Sequence, residues 1–277
     1  MISTLISEDE SECSSRAFPS YVSKILEERY LLKNMEGKAI ETPEEMFRRV
    51  AKAIAAADLI YDRSIDPQKT EDEFYRIMRN LEFLPNSPTL MNAGTEVRQL
   101  AACFVLPIED SISSIFECLK NAALIHQTGA GTGFSFSNLR PKGDIIRSTK
   151  GVSSGPLSFL GIFNFATQIM QNGGLRRGAN MGVLRVDHPD ILDFVKAKSK
   201  EGSLRNFNLS VSVTNEFMDA VIEEKQYGLK NPNTGRVIKK IWAKDLFDLM
   251  ATMAWRNGEP GIIFIDNVNA EPAGRGH

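Results

Sequence analysis

Cys103 opens the stretch CFVLPIEDS, residues 103–111, in a chain of 277 residues with three cysteines. A lone thiol among apolar neighbours either packs as a small hydrophobe or reacts, and the local sequence leaves both readings open. Cys13 and Cys118 form no C-x-x-C pair and no zinc-type spacing with it. That pattern argues against a disulfide scaffold or a structural metal site and fits a reducing, cytoplasmic setting. The histidines, His126, His188 and His277, are far apart in sequence, and no Ser/His/Asp or H-E-x-x-H arrangement can be assembled around them. Hydrolytic chemistry is therefore not supported. His188, in VDHPDI, is expected in the turn that opens a helix, and His126 at a helix C-terminus, where the dipole accounts for it.

Four further segments have residue types suited to ligands. TGAGTGF (128–134) lets backbone N–H groups approach an anion, but dinucleotide binding needs its glycines after a strand and before a helix, and here the order is reversed. No GK[ST] follows for a P-loop, and tight turn packing reads equally well. NGGLRRGANMG (172–182) joins flexible backbone to guanidinium forks, which suit phosphate or nucleobase contacts or form a solvated basic loop. RPKGDIIRSTK carries Arg140, Lys142, Arg147 and Lys150 and alone reads as surface. NSPTLMNAG (86–94), upstream of Cys103, reads alone as a loop entering a strand.

The elements that must position these residues divide into two kinds. Residues 1–15 are rich in Ser and Glu and read as a mobile tail, and 16–85 read as a helical region. Its best-marked helix is TPEEMFRRVAKAIAAAD, with Thr42 as cap, Pro43 in the first turn and Glu45 completing a capping box. Met46, Phe47, Val50 and Ile54 form its apolar face. From residue 86 onward, strands are predicted at 103–108, 134–139, 181–186, 208–213 and 261–265. Helices are predicted from SISSIFECLKNAALIHQ, with Ile112, Ile115, Phe116 and Leu119 as one stripe, through PLSFLGIFNFATQIM, and near Pro189, Thr214 and Ala243. Five apolar strands separated by helices predict an α/β fold with a mostly parallel sheet. The chain ends at EPAGRGH without a closing helix, which would leave sheet edges open and suggests a fragment or a partner chain.

Composition sets the outer limits. Apolar residues make up 42% of the chain, enough for a substantial core, and the formal net charge is -2. That balance gives no general electrostatic reason to bind nucleic acid or an acidic membrane. No apolar run reaches the roughly 18 residues of a membrane span.

Taken in order, FLPNSPTLMNAG, QLAACFVLPIEDSISSIFECLKNAALIHQTGAGTGFSFSNLRP, STKGVSSGP, NGGLRRGANMGVLRVDHPDI and NGEPGIIFIDNVN resemble the large catalytic chain of ribonucleotide reductases. The wording is nearest to the adenosylcobalamin-dependent class II branch, and ILEERYLLKNMEGKAIETPEEMFRRVA resembles the helical segment ahead of that enzyme's barrel. The resemblance runs from about residue 17 to 269. It implies a ten-stranded α/β barrel of two five-stranded parallel halves, of which residues 86–277 would form the first.

It also implies roles. Cys103 matches one member of the redox pair that reduces the ribose, after a cysteine thiyl radical removes the 3′-hydrogen and water leaves from C2′. The radical cysteine and the second redox cysteine belong to the family's other half-barrel, and Cys13 and Cys118 match neither. Ser87, Ala102 and Gly131 resemble positions that contact the ribonucleoside diphosphate substrate, Ala102 through its backbone. Asp110, Ser111, Ile112, Gln127, Arg140 and Arg147 resemble the site for a deoxynucleoside triphosphate or ATP effector, with Asp110 on the deoxyribose hydroxyl and the arginines on phosphates. Asn172, Gly173, Gly174, Arg176 and Asn180 belong to the loop that reports the effector to the substrate base. Adenosylcobalamin, a thioredoxin-type reductant, a homodimer and the C-terminal half of the reductase are the implied cofactor and partners. No resident metal, nucleic acid or membrane is expected. A non-catalytic module that binds the effector and dimerises is the alternative reading.

Overall fold

The computed structural model describes residues 18–146, 150–170 and 178–270. The expected tail, Arg147, Asn172, Gly173, Gly174 and Arg176 lie outside the described residues. The chain forms two compact units, one ending at Ala102 and one beginning at Cys103.

The first unit is helical: α1 (Ser20–Arg29), α2 (Pro43–Ala55), α3 (Asp58–Tyr61), α4 (Pro67–Arg79) and α5 (Ser87–Asn92). The reciprocal cap expected at α2 is present: Thr42 Oγ1 accepts from Glu45 N–H at 3.2 Å, and Thr42 N–H donates to Glu45 Oε2 at 2.7 Å. Met46, Phe47 and Val50 are buried as their spacing predicts, with Met78, Leu90 and Ala93 in the same core, so α5 packs with the helices. The turn formers Asn, Ser, Pro and Thr predict a loop over residues 86–94. Instead Asn86 caps a short helix by accepting from Thr89 N–H at 2.9 Å, and Pro88 lies in its first turn. Arg49 fastens this helix: it grips Glu41 through two nitrogens at 2.9 and 2.7 Å and donates to the carbonyls of Leu90 and Ala93. Those carbonyls are among the acceptors a helix end leaves unsatisfied.

The second unit contains a five-stranded, wholly parallel sheet in the order β1-β2-β3-β4-β7. The strands are β1 (Cys103–Leu106), β2 (Gly131–Ser135), β3 (Asn180–Arg185), β4 (Phe207–Val213) and β7 (Gly261–Phe264). Between them run α6 (Ile112–Gln127), α7 (Pro156–Met170), α8 (Ile191–Val195), α9 (Asn215–Ile222), an antiparallel hairpin of β5 (Gln226–Lys230) and β6 (Val237–Trp242), and α10 (Ala243–Asn257). A short α11 (Ile265–Ala270) follows β7. The core is dominated by Phe134, Phe136, Phe163 and Phe207, whose rings meet at centroid separations of 4.8 to 6.4 Å. Burial of these rings against apolar helix faces is the main force that stacks the layers.

Several expectations fail for identifiable reasons. The second strand starts at Gly131, not at residue 134, so Gly131 and Gly133 are ladder residues and the Gly-rich turn shrinks to Thr128–Ala130. The buried stripe of α6 is Ile115, Cys118, Ala122 and His126, whereas Ile112 and Phe116 are exposed. An i, i+3, i+7, i+11 row fits the core as well as the expected one, and only tertiary packing chooses between them. β1 was expected to be a buried strand, yet Val105 is 86% exposed: it lies on the face of the sheet where its ladder neighbour is Gly133, which has no side chain to cover it. The last strand is followed by a helix, α11, where none was expected.

Candidate functional site

The N-terminal end of the sheet gathers one set of the expected residues. Cys103 is the first residue of β1, and its thiol is exposed. Its Cα partner across the ladder is Gly131, the first residue of β2. One step further, Thr132 pairs with Asn180, and Asn180 pairs with Phe207. Cys103, Gly131 and Asn180 therefore stand along one margin. At the β3 and β4 end of that margin lies an open, mostly polar cleft of about 720 Å³, lined by Asn164, Gln168, Asn180, Lys200, Arg205 and Asn208 among others. Ala102 directly precedes Cys103 and is half-buried. Ser87 opens α5 in the helical unit, where its hydroxyl meets Tyr30 Oη at 3.1 Å.

The other end of β1 presents a charged cluster. Asp110 accepts from Arg140 Nε at 2.8 Å and from the Arg140 backbone N–H at 3.2 Å. Asn233, at the tip of the β5–β6 hairpin, donates from Nδ2 to the same carboxylate at 2.6 Å. Ser111 caps α6 by accepting from Ser114 N–H at 3.1 Å, so the positive end of a 16-residue helix stands beside Asp110. Ile112 follows, its side chain 63% exposed. The segment after Arg140 is strapped down at two more points. Lys142 N–H donates to Asp190 Oδ2 at 2.9 Å, and Asp144 accepts from Asn231 Nδ2 at 3.0 Å. Gly155 closes the excursion at φ +77°, and a Cβ there would fall 2.8 Å from Asp190 Oδ2, so no side chain fits.

Asp110, Ser111, Ile112 and Arg140 thus come together as expected. Gln127 does not join them: it is exposed at the opposite end of α6, about 22 Å along the axis at 1.5 Å per residue. Asn180 joins the Cys103 margin, not the Asp110 cluster.

Both described histidines are interior groups. His188 Nε2 meets the Leu139 carbonyl at 2.9 Å and its Nδ1 accepts from Asp190 N–H at 3.0 Å, which ties the turn before α8 to the chain before Arg140. Burial lowers its pKa, with the Leu139 bond and the neighbouring aspartates opposing. His126 stands in the last turn of α6, where the sequence predicts it, but burial outweighs the helix-end dipole that would favour the charged ring: it is 5% exposed, burial lowers its pKa, and its Nε2 lies 2.9 Å from Thr132 Oγ1. Cys118 is buried as the structural reading required, and desolvation pushes its thiol up to about 11. Sequence reading missed Asn233 and the Thr132–His126 contact. N-P-N-T-G was a legible turn signal for the hairpin, but nothing in the sequence tied it to Asp110.

Residues 17–98 match the family model "Ribonucleotide reductase, all-alpha domain", and residues 101–274 match "Ribonucleotide reductase, barrel domain". The chain is 44% identical to the vitamin B12-dependent ribonucleoside-diphosphate reductase of Thermoplasma acidophilum, over 89% of this chain and 39% of that protein. It is 48% identical to the protein of the same name from Mycobacterium tuberculosis, over 91% of this chain and 37% of that one. The ribonucleoside-diphosphate reductase large subunit of Vaccinia virus is 33% identical over 83% of this chain and 29% of its own length. The chain spans less than two-fifths of each of these relatives, and its helical unit followed by a five-stranded parallel sheet is consistent with the first half of such a barrel. With both of its units matched by models of one family, the chain belongs to the ribonucleotide reductases.

Proposed function

We propose that these residues are the part of a ribonucleoside-diphosphate reductase that supplies one reducing thiol and the nucleotide-sensing surface for deoxyribonucleotide synthesis. The observation that carries the reading is the contrast between two thiols. Cys103 is exposed at the sheet margin in register with Gly131, whereas Cys118 is sealed in the core.

The reduction converts a ribonucleoside diphosphate and two thiols into a deoxyribonucleoside diphosphate, water and a disulfide. The C2′–O bond breaks, an S–S bond forms, and the thiols supply both electrons and both protons. Cys103 provides one sulfur; the second, and the thiyl radical that takes the 3′-hydrogen, come from the remaining barrel strands. Ser87, the Ala102 backbone and Gly131 hold the substrate. Asp110, Ser111, Ile112, Arg140 and Arg147 hold a deoxynucleoside triphosphate or ATP, with Gln127 contributed across a homodimer. The segment from Asn172 to Asn180, including Gly173, Gly174 and Arg176, reports the effector to the substrate base, a coupling of about 1–3 kcal/mol in typical allosteric proteins.

Adenosylcobalamin is the proposed radical source, since the bacterial and archaeal relatives carry vitamin B12 dependence in their names. Both described histidines are buried within the fold, so neither fits as a ligand to it, and no step is assigned to these residues through the cofactor. A thioredoxin-type reductant would recycle the disulfide, and the cysteine usage suits the cytoplasm.

The test is reduction of a ribonucleoside diphosphate with adenosylcobalamin and a dithiol, using this chain with and without a polypeptide carrying the rest of the barrel. Turnover is expected only on mixing. Cys103→Ser should abolish it while changing deoxynucleotide affinity by no more than about twofold, because the thiol and Asp110 occupy opposite ends of β1. Turnover by this chain unaided would refute the proposal. The Asp110–Arg140 cluster lies within one compact unit, which favours a second reading as an effector-binding module. Effector binding without turnover on mixing would select that reading.

A further inference from the structure

Four polar side chains are buried together behind the Cys103 margin: His126 on α6, Thr132 on β2, Thr167 on α7 and Asn180 on β3, with exposures of 5, 4, 2 and 3%. Their hydrogen bonds run in one direction. Thr132 has a single hydroxyl proton and gives it to Asn180 Oδ1 at 2.8 Å, so its oxygen must accept from His126 Nε2–H at 2.9 Å. Asn180 Nδ2 donates to Thr167 Oγ1 at 2.9 Å, and Thr167 passes its own proton to the Phe163 carbonyl at 2.8 Å. This order fixes the neutral tautomer of His126 with the proton on Nε2, which agrees with the downward shift that burial imposes on its pKa.

One acceptor is left over. His126 Nδ1 is buried with no hydrogen-bond partner among the described residues. It faces Gly178: a Cβ on that residue would lie 2.9 Å from Nδ1 and 2.9 Å from Thr167 Cγ2. The backbone just before Asn180 therefore passes against the imidazole edge, and only glycine allows it. Burying four polar groups where apolar ones would pack costs stability unless their geometry serves another purpose.

We propose that His126 is a positioning residue that acts through Thr132 to fix the side-chain amide of Asn180 and the close passage of Gly178. The proposal rests on reading Asn180 as a specificity position. It adds a physical link from the C-terminal end of α6, the helix whose other end holds the Asp110 cluster, to the strand that carries Asn180.

The experiment uses His126→Phe, His126→Gln and Thr132→Val. Hydrogen exchange at residues 178–186 is measured in this chain. The effector-dependent ratio of reduction rates for two ribonucleotides is measured in the reductase assembled from this chain and the rest of the barrel. Phe and Val, which cannot donate or relay, should speed exchange at Asn180 about tenfold and cut the effector-dependent ratio about fivefold. Gln, whose amide can donate to Thr132, should recover most of both. Thr132→Val is nearly isosteric and keeps the test open if the ring replacement unfolds the chain. Folded variants with a lower melting temperature but an unchanged ratio would assign the network to stability alone and overturn the proposal. If the wild-type enzyme shows no effector-dependent ratio, the functional reading fails instead, and the exchange data still decide whether His126 holds Asn180.

Discussion

Cys103 and Cys118 carry the same side chain in two solvents. Burial removes the water that would stabilise a thiolate, so the Cys118 thiol is pushed up to about 11, while Cys103 stays exposed at the start of an edge strand. Iodoacetamide at pH 8 should therefore label Cys103 in the native chain and reach Cys118 only after urea unfolding, as peptide mapping by mass spectrometry would read out. Equal labelling of Cys118 in the native chain would contradict its burial. The sequence hid this difference, because CFVL looks like core. Exposure alternates along β1 because successive residues face opposite sides of the sheet, and which side the packing leaves uncovered is set by tertiary structure, which no local pattern encodes. Asp110 and Arg140 were each named by resemblance, one toward a sugar hydroxyl and the other toward phosphates, whereas their mutual salt bridge and the third contact from Asn233 are products of tertiary structure.

At the scale of elements, strands with β-branched and aromatic runs were legible: NLSVSV and MGVLRV read within a residue of their true bounds. The helices that begin at Pro43 and Pro156 were equally clear, because Pro sits where a first turn tolerates it. The β5–β6 hairpin was not. VIKKIW is exposed at all but one position, so it lacks the apolar alternation that marks a half-buried strand, and its pairing with QYGLK supplies what the pattern does not. The hairpin matters because its tip holds Asp110. Asn233→Ala should weaken deoxynucleoside triphosphate binding to this chain about threefold to tenfold, the equivalent of about 1 kcal/mol for a part-exposed bond to a carboxylate. Asn233→Asp should weaken it more, by setting a second negative charge against the first. Calorimetric titration of both variants decides the point: an unchanged affinity in the Asp variant would remove the hairpin from the proposed effector site.

At the scale of the molecule, fold class was legible and strand order was not. Parallel strands need covered faces, and helix-strand alternation announces them, but the order of five strands and the openness of β1 and β7 are global properties. A second open feature is the outer face of α6 and α7, which pack against each other. Phe116 and Leu124 on α6 and Phe165 and Ile169 on α7 are 48, 57, 64 and 57% exposed, and exposed apolar side chains on neighbouring helices suit an interface. A two-fold pairing that runs α6 antiparallel to its copy would bring Gln127 of one protomer toward the Asp110 cluster of the other, reconciling two positions that lie about 22 Å apart along one helix. Light scattering should then report a dimer for the wild-type chain and a monomer for Phe116→Asp and Phe165→Asp, with circular dichroism unchanged because both residues are about half exposed or more and lie outside the buried core. Deoxynucleotide affinity should fall with dimer content, since each site would borrow Gln127 from its neighbour. A monomeric wild type that binds the effector with full affinity would show that one α6 suffices and would leave the apolar face to another partner.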